Sequence, residues 1–79
     1  MRSDQEIMTV FKAAVKEVEN KELPAIDLTT ELSQLGLDSV TTMEVIGAME
    51  ERLNLRFPDE DLATLKRVGD LTALVQRLG

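Results

Sequence analysis

The sequence predicts an all-α fold, a small four-helix bundle with three long helices, one short helix and a long first loop. Three observations predict it. Large apolar residues recur at helical spacing in three separate stretches. Capping residues or a proline stand where three of the four helices should begin. No segment shows the strict alternation or the turn dipeptides of a hairpin. With 79 residues the chain has material for one core, so residues 1–79 are read as a single domain without internal repeat or low-complexity segment.

The first helix is expected over about residues 4–19, with Ser3 as cap and Glu6 as its capping-box partner. Ile7, Val10, Phe11, Ala14, Val15 and Val18 form its apolar stripe, and Asn20 ends it. Residues 21–37 lack sustained periodicity, and Pro24 restricts the chain before it. Thr29-Thr30 can start a single turn through Glu31-Leu32-Ser33-Gln34. Leu23, Ile26, Leu28, Leu32, Leu35 and Leu37 are too many apolar groups for a floppy linker, so they should pin this loop across the bundle. Gly36 supplies the permissive backbone where the loop turns into the next element.

Asp38 is the expected N-cap of the second helix and Ser39 its first residue; the helix runs to about Leu53. Thr42, Val45, Ile46, Met49 and Leu53 share one arc of the helical wheel and form its core face. Asn54 to Pro58 break the pattern, with Phe57 as a core plug and Pro58 as the first residue of the short helix. The last helix should cover about residues 67–78, burying Val68, Leu71, Leu74, Val75 and Leu78. Its start is poorly signalled, since Thr64 is the only good capping residue nearby.

Composition excludes several function classes. The chain has no Cys and no His, which removes a disulfide framework, a thiol nucleophile, the usual metal ligand and the usual neutral-pH base. No catalytic residue and no metal site is therefore expected. No apolar run is long enough to span a bilayer and no signal-peptide core is visible, so a cytoplasmic monomer without membrane insertion is expected. The formal net charge of -6 has the wrong sign for gripping nucleic acid. Residues 22–51 contain no basic residue, while Glu22, Asp27, Glu31, Asp38, Glu44, Glu50 and Glu51 are acidic. Such a field is either a solvated face that keeps a small protein soluble or a docking surface for basic partners.

Val40 and Met43 fall outside the core arc, on the side that carries Ser39, Glu44, Gly47, Glu50 and Glu51. Apolar side chains inside a charged rim, beside a serine at a helix start, have the composition of an interaction site.

Leu35-Gly36-Leu37-Asp38-Ser39-Val40 resembles the attachment motif of acyl carrier proteins. The resemblance extends to Glu31-Leu32, Thr42-Met43-Glu44-Val45, Ala48-Met49-Glu50-Glu51, Phe57-Pro58-Asp59-Glu60 and Val68-Gly69-Asp70-Leu71, in order and at matching spacing. It implies that Ser39 receives 4'-phosphopantetheine from coenzyme A through a separate phosphopantetheinyl transferase, and that the thiol of the arm carries the acyl group. A serine hydroxyl serving only as a helix cap is the alternative. The resemblance further implies docking by Asp38, Val40, Met43, Glu44, Gly47, Glu50 and Glu51 to that transferase, to an acyl or malonyl transferase, to a ketosynthase and to other synthase enzymes. It also implies an acyl-chain pocket lined by Thr42, Val45, Ile46, Met49, Val68 and Leu71.

The sequence departs from the commonest bacterial fatty-acid pattern in three places. Thr41 stands at a usually acidic position, Gly47 at that of a large apolar contact residue, and Lys66-Arg67 where a Ser/Thr cap is frequent. These departures point to a specialised polyketide or fatty-acid-like pathway as readily as to housekeeping fatty-acid synthesis. A peptidyl or aminoacyl carrier, including a D-alanyl carrier, shares the bundle and the modified serine. Leu37-Asp38 before Ser39 differs from the Gly-Gly-x approach usual in peptidyl carriers. An unmodified helical adaptor using Val40 and Met43 is the reading from another class.

Overall fold

A computed structural model describes residues 2–23 and 25–78. It contains four α-helices among those residues: α1 (Asp4–Glu19), α2 (Ser39–Leu53), α3 (Asp59–Leu62) and α4 (Val68–Leu78). A 3-10 turn, Leu32–Leu35, interrupts the long loop between α1 and α2. The expected bundle and the bounds of its long helices hold within a residue.

α1 packs chiefly against α2 and α4. Ile7, Phe11, Ala14 and Val15 of α1, Val45, Ile46, Met49 and Leu53 of α2, and Val68, Leu71, Leu74 and Val75 of α4 build one core. Phe57 closes it at 4% exposure, as its position after the α2 pattern suggested. Removing a side chain such as Phe11 or Met49 from such a site costs about 2–5 kcal/mol. Ala48 is buried as well, a small residue on the edge of the expected arc.

The termini of α1 and α2 follow their sequence signals. Ser3 Oγ accepts from the amide of Glu6 at 3.1 Å. Asn20 and Asn54 end α1 and α2 in the left-handed conformation, with φ 53° and 56°. Gly36 has φ 74°, so the loop does turn there on a backbone that other residues adopt at a cost. Pro24 lies outside the described residues.

Three expectations are corrected. Thr29 and Thr30 do not cap the 3-10 turn: the amide and hydroxyl of Thr29 donate to Asp27 Oδ1, and Thr30 Oγ1 accepts from the Asp27 amide. Glu31 is the cap residue instead, and Gln34 reaches back to its amide at 3.0 Å. Leu28 is 40% exposed and is no core pin; Leu32, Leu35 and Leu37 are buried, and Leu23 and Ile26 pack at the core edge. Pro58 caps α3 with extended backbone (ψ 139°) rather than forming its first residue.

The start of α4 shows why no cap was legible near it. Asp70, inside the helix, turns its carboxylate back to accept from the amides of Lys66 and Arg67, both at 3.0 Å. The amides of Val68 and Gly69 donate to the carbonyls of Thr30 and Leu28, both at 2.9 Å. In return the Leu32 amide donates to Lys66 O, and Glu31 pairs with Arg67 in an isolated antiparallel bridge. The cap is thus supplied by a loop forty residues upstream, which local sequence cannot announce. A Cβ on Gly69 would stand 2.8 Å from the Leu28 carbonyl oxygen, so this close approach requires glycine.

Candidate functional site

The site grows from the N-terminus of α2. Leu35 and Leu37 are buried, and their insertion on either side of the left-handed Gly36 delivers the chain to Asp38. Asp38 Oδ1 accepts from the Thr41 amide at 2.7 Å, and Asp38 O accepts from the Thr42 amide at 2.9 Å. The Thr41 amide holds the Asp38 carboxyl below the usual aspartate range. It therefore stays ionised at the positive end of the helix.

Ser39 follows as the first helical residue and is exposed. Its hydroxyl has no hydrogen-bond partner in the protein among the described residues. A serine needed only for capping would have its oxygen on a nearby amide, which is the work Asp38 performs here. Val40 and Met43 stand beside it at 69% and 51% exposure, as expected from the wheel.

A groove of about 280 Å³ opens at Ser39. Leu32, Leu37, Met43, Leu62 and Leu65 line it with apolar side chains, and Ser33, Asp38, Ser39 and Thr42 with polar ones. Of the six residues expected to line an acyl pocket, only Thr42 lies in this groove. Val45, Met49 and Val68 are fully buried, and Ile46 and Leu71 nearly so, all within the closed core. Leu62 and Leu65 were missed because their three-residue step names a helical face but not what lies opposite.

The expected docking residues separate into two groups. Glu44 and Glu51 are exposed and have no salt-bridge partner among the described residues. They flank Gly47 in a cleft between α1 and α2, and a Cβ on Gly47 would meet nothing within 4 Å. Close packing therefore does not explain this glycine. Glu50 departs from the expected exposed face: it is half-buried, and its Oε2 accepts from the Phe57 amide at 2.8 Å. No group of three His, Cys, Asp or Glu suited to a metal exists among the described residues.

The residues around Ser39 fit a phosphopantetheine arm. The hydroxyl is accessible at the positive end of α2, and the neighbouring groove is lined by apolar and polar side chains together.

Comparison with known proteins agrees. The phosphopantetheine attachment site family matches residues 9–75. The chain is 37% identical over 79 residues to the meromycolate extension acyl carrier protein of Mycolicibacterium aurum, covering 96% of this chain and 79% of that protein. It is 37% identical over 71 residues to the acyl carrier protein of Acidothermus cellulolyticus, covering 86% and 82%. The crystal structure of an acyl carrier protein from Thermotoga maritima shares the fold, with a TM-score of 0.87 over 95% of this chain and 88% of that one at 24% identity. With two thirds and more of its length matched in each comparison, the chain belongs to the phosphopantetheine-bearing acyl carrier family. Its function is that of a carrier: acyl groups ride as thioesters on a 4'-phosphopantetheine arm and pass among synthase and transferase enzymes. No helix among the described residues is long and apolar enough to cross a membrane.

Proposed function

We propose that Ser39 bears the arm and that this carrier serves a specialised fatty-acid-like or polyketide pathway as a cytoplasmic, non-catalytic monomer. The observation that carries the first part is the accessible, unengaged Ser39 hydroxyl beside a capped helix start. No general base in the protein lies within hydrogen-bond reach of it among the described residues, and the neighbouring Asp38 carboxylate is committed to the Thr41 amide. This supports activation by a separate transferase. In that step Ser39 Oγ attacks the phosphorus of coenzyme A that bears the pantetheine. A phosphorus–oxygen bond forms, the pyrophosphate link breaks, adenosine bisphosphate leaves, and the serine proton passes to the transferase.

The arm supplies a thiol that holds cargo as a thioester. Around it, Leu62 and Leu65 offer apolar surface and Thr42 and Ser33 offer hydroxyls. Asp38, Val40, Met43, Glu44, Gly47 and Glu51 form the proposed docking face for a phosphopantetheinyl transferase, an acyl or malonyl transferase and a ketosynthase. Glu50 joins them with the oxygen that Phe57 leaves free. The specialised pathway is supported by Gly47, which no contact within the fold explains, and by a relative whose name places it in meromycolate extension.

Intact mass measurement after incubation with coenzyme A and a broad-specificity phosphopantetheinyl transferase tests the attachment. One adduct per chain, absent from Ser39→Ala, is the expected result. An adduct that persists in Ser39→Ala would place the arm elsewhere.

A further inference from the structure

We infer that Lys21 is a positioning residue for Ser39, a strut that holds the approach to α2 in the geometry that presents the serine; this rests on the reading of Ser39 given above. The chain leaves α1 at the left-handed Asn20, and Lys21 is the next residue. Its ammonium donates to the carbonyl of Leu35 at 2.8 Å, fourteen residues along the chain. Leu35 ends the 3-10 turn, which has no basic residue in its own last turn. Lys21 therefore supplies from outside the cation that exposed C-terminal carbonyls favour.

The same ammonium lies 3.3 Å from where a Cβ on Gly36 would stand, so the lysine and the left-handed glycine share one corner. Only the buried Leu37 separates this corner from the Asp38 cap, with Ser39 next. Among the described residues, Leu35 to Leu37 make no other hydrogen bond to a different element. α1 is fixed by its packing on α2 and α4, so Lys21 refers the position of this segment to the body of the bundle. Without it the segment keeps two leucine anchors but loses its one polar tether, and the presented geometry becomes a smaller fraction of the ensemble. A transferase that recognises that geometry then meets a higher apparent KM with an unchanged chemical step.

Electrostatics alone predicts the opposite sign. Lys21→Met makes a chain of net charge -6 one unit more negative, which favours encounter with a basic partner. Lys12→Met is the matched control, removing one exposed lysine of α1 that has no hydrogen bond to the loop.

The experiment uses the unmodified chain, coenzyme A and a broad-specificity phosphopantetheinyl transferase, with amide exchange measured in parallel. Lys21→Met should raise KM about three- to fivefold with kcat unchanged. Exchange should speed about tenfold at Gln34 and Gly36, whose amides donate to Glu31 O and Ser33 O, and not in α1. Lys21→Arg, which keeps a charged donor, should stay within about twofold of wild type in both readouts. A Lys21→Met chain with the wild-type KM or a lower one, or an equal rise in Lys12→Met, overturns the strut. A wild-type chain that takes no adduct overturns the Ser39 reading itself, so the two failures are distinct.

Discussion

Glu50 and Phe57 are joined by a 2.8 Å hydrogen bond from the Phe57 amide to the Glu50 carboxylate, which ties the end of α2 to the residue that closes the core. The bond is part-buried, so an acidic side chain that sequence assigns to partner docking is also a structural acceptor. Glu50→Lys should destabilise the fold by about 1–3 kcal/mol, since it leaves a shielded amide without its acceptor. Glu50→Gln, which keeps an acceptor oxygen, should lose less than half as much. Urea denaturation of the two variants checks the ordering.

Glu44 gives the contrasting result. It is exposed and unpaired among the described residues, so Glu44→Lys should move stability by no more than about 0.5 kcal/mol. It should nevertheless slow phosphopantetheine transfer at low salt, with the difference from wild type shrinking as salt rises. Equal initial rates for the two proteins at low ionic strength would contradict a docking role.

Gly47 has open space above it and no positive φ, so nothing in the fold offsets its low helix propensity. Gly47→Ala should raise stability by about 1 kcal/mol. Gly47→Met should retain part of that gain while changing kcat/KM in opposite directions with a generic fatty-acid ketosynthase and with the pathway's own enzyme. If both rate constants stay at the wild-type value, the bare position plays no part in choosing partners.

Gly69 should behave in the reverse manner. A Cβ there would press on a backbone oxygen 2.8 Å away, and backbone yields poorly. Gly69→Ala should cost about 1–3 kcal/mol, by separating the first loop from the start of α4. Thermal unfolding checks this, and a variant as stable as wild type would mean that the loop shifts freely.

Asp38 and Asp70, with Glu22 and Asp27, contribute to the acid limb of stability. The Thr41 amide lowers the Asp38 carboxyl, and the amides of Arg67 and then Lys66 lower that of Asp70. Each folded-state value lies below the unfolded one, so the contribution is complete above the ordinary aspartate range, near about 3.9, and is lost as pH falls through the depressed value. Asp38→Asn combined with Asp70→Asn should flatten the dependence of stability on pH below about 4. Denaturation midpoints measured across that range give the comparison.

The long helices and the serine at the head of α2 were legible because their signals are local. Ser3 and Asp38 sit next to the amides they serve, and the apolar spacing of α1, α2 and α4 needs no knowledge of neighbours. What escaped was the hydrogen bonding that runs against or beyond the helical pattern, although the apolar pins Phe57, Leu32, Leu35 and Leu37 were readable. The Leu28 and Thr30 carbonyls cap α4, the Asp70 carboxylate turns backward, and Glu50 reaches past the helix end. The groove was misassigned for the same reason: periodicity names the buried face of α2, but only packing shows that this face is sealed while Leu62 and Leu65 border the opening.

α3 contributes no buried residue, yet the chain on either side of it is moored. At one end Phe57 is held by the core and by Glu50; at the other Lys66, Arg67 and Val68 are laced to the first loop and to Asp70. The span from Pro58 to Leu65 therefore hangs between two fixed posts like the deck of a footbridge. The deck is also braced from below: Leu62 and Leu65 lean on the core, and Asp61 pairs with Arg77 of α4 at 2.9 Å, so the wall this span gives the groove at Ser39 is set by three separate parts of the chain.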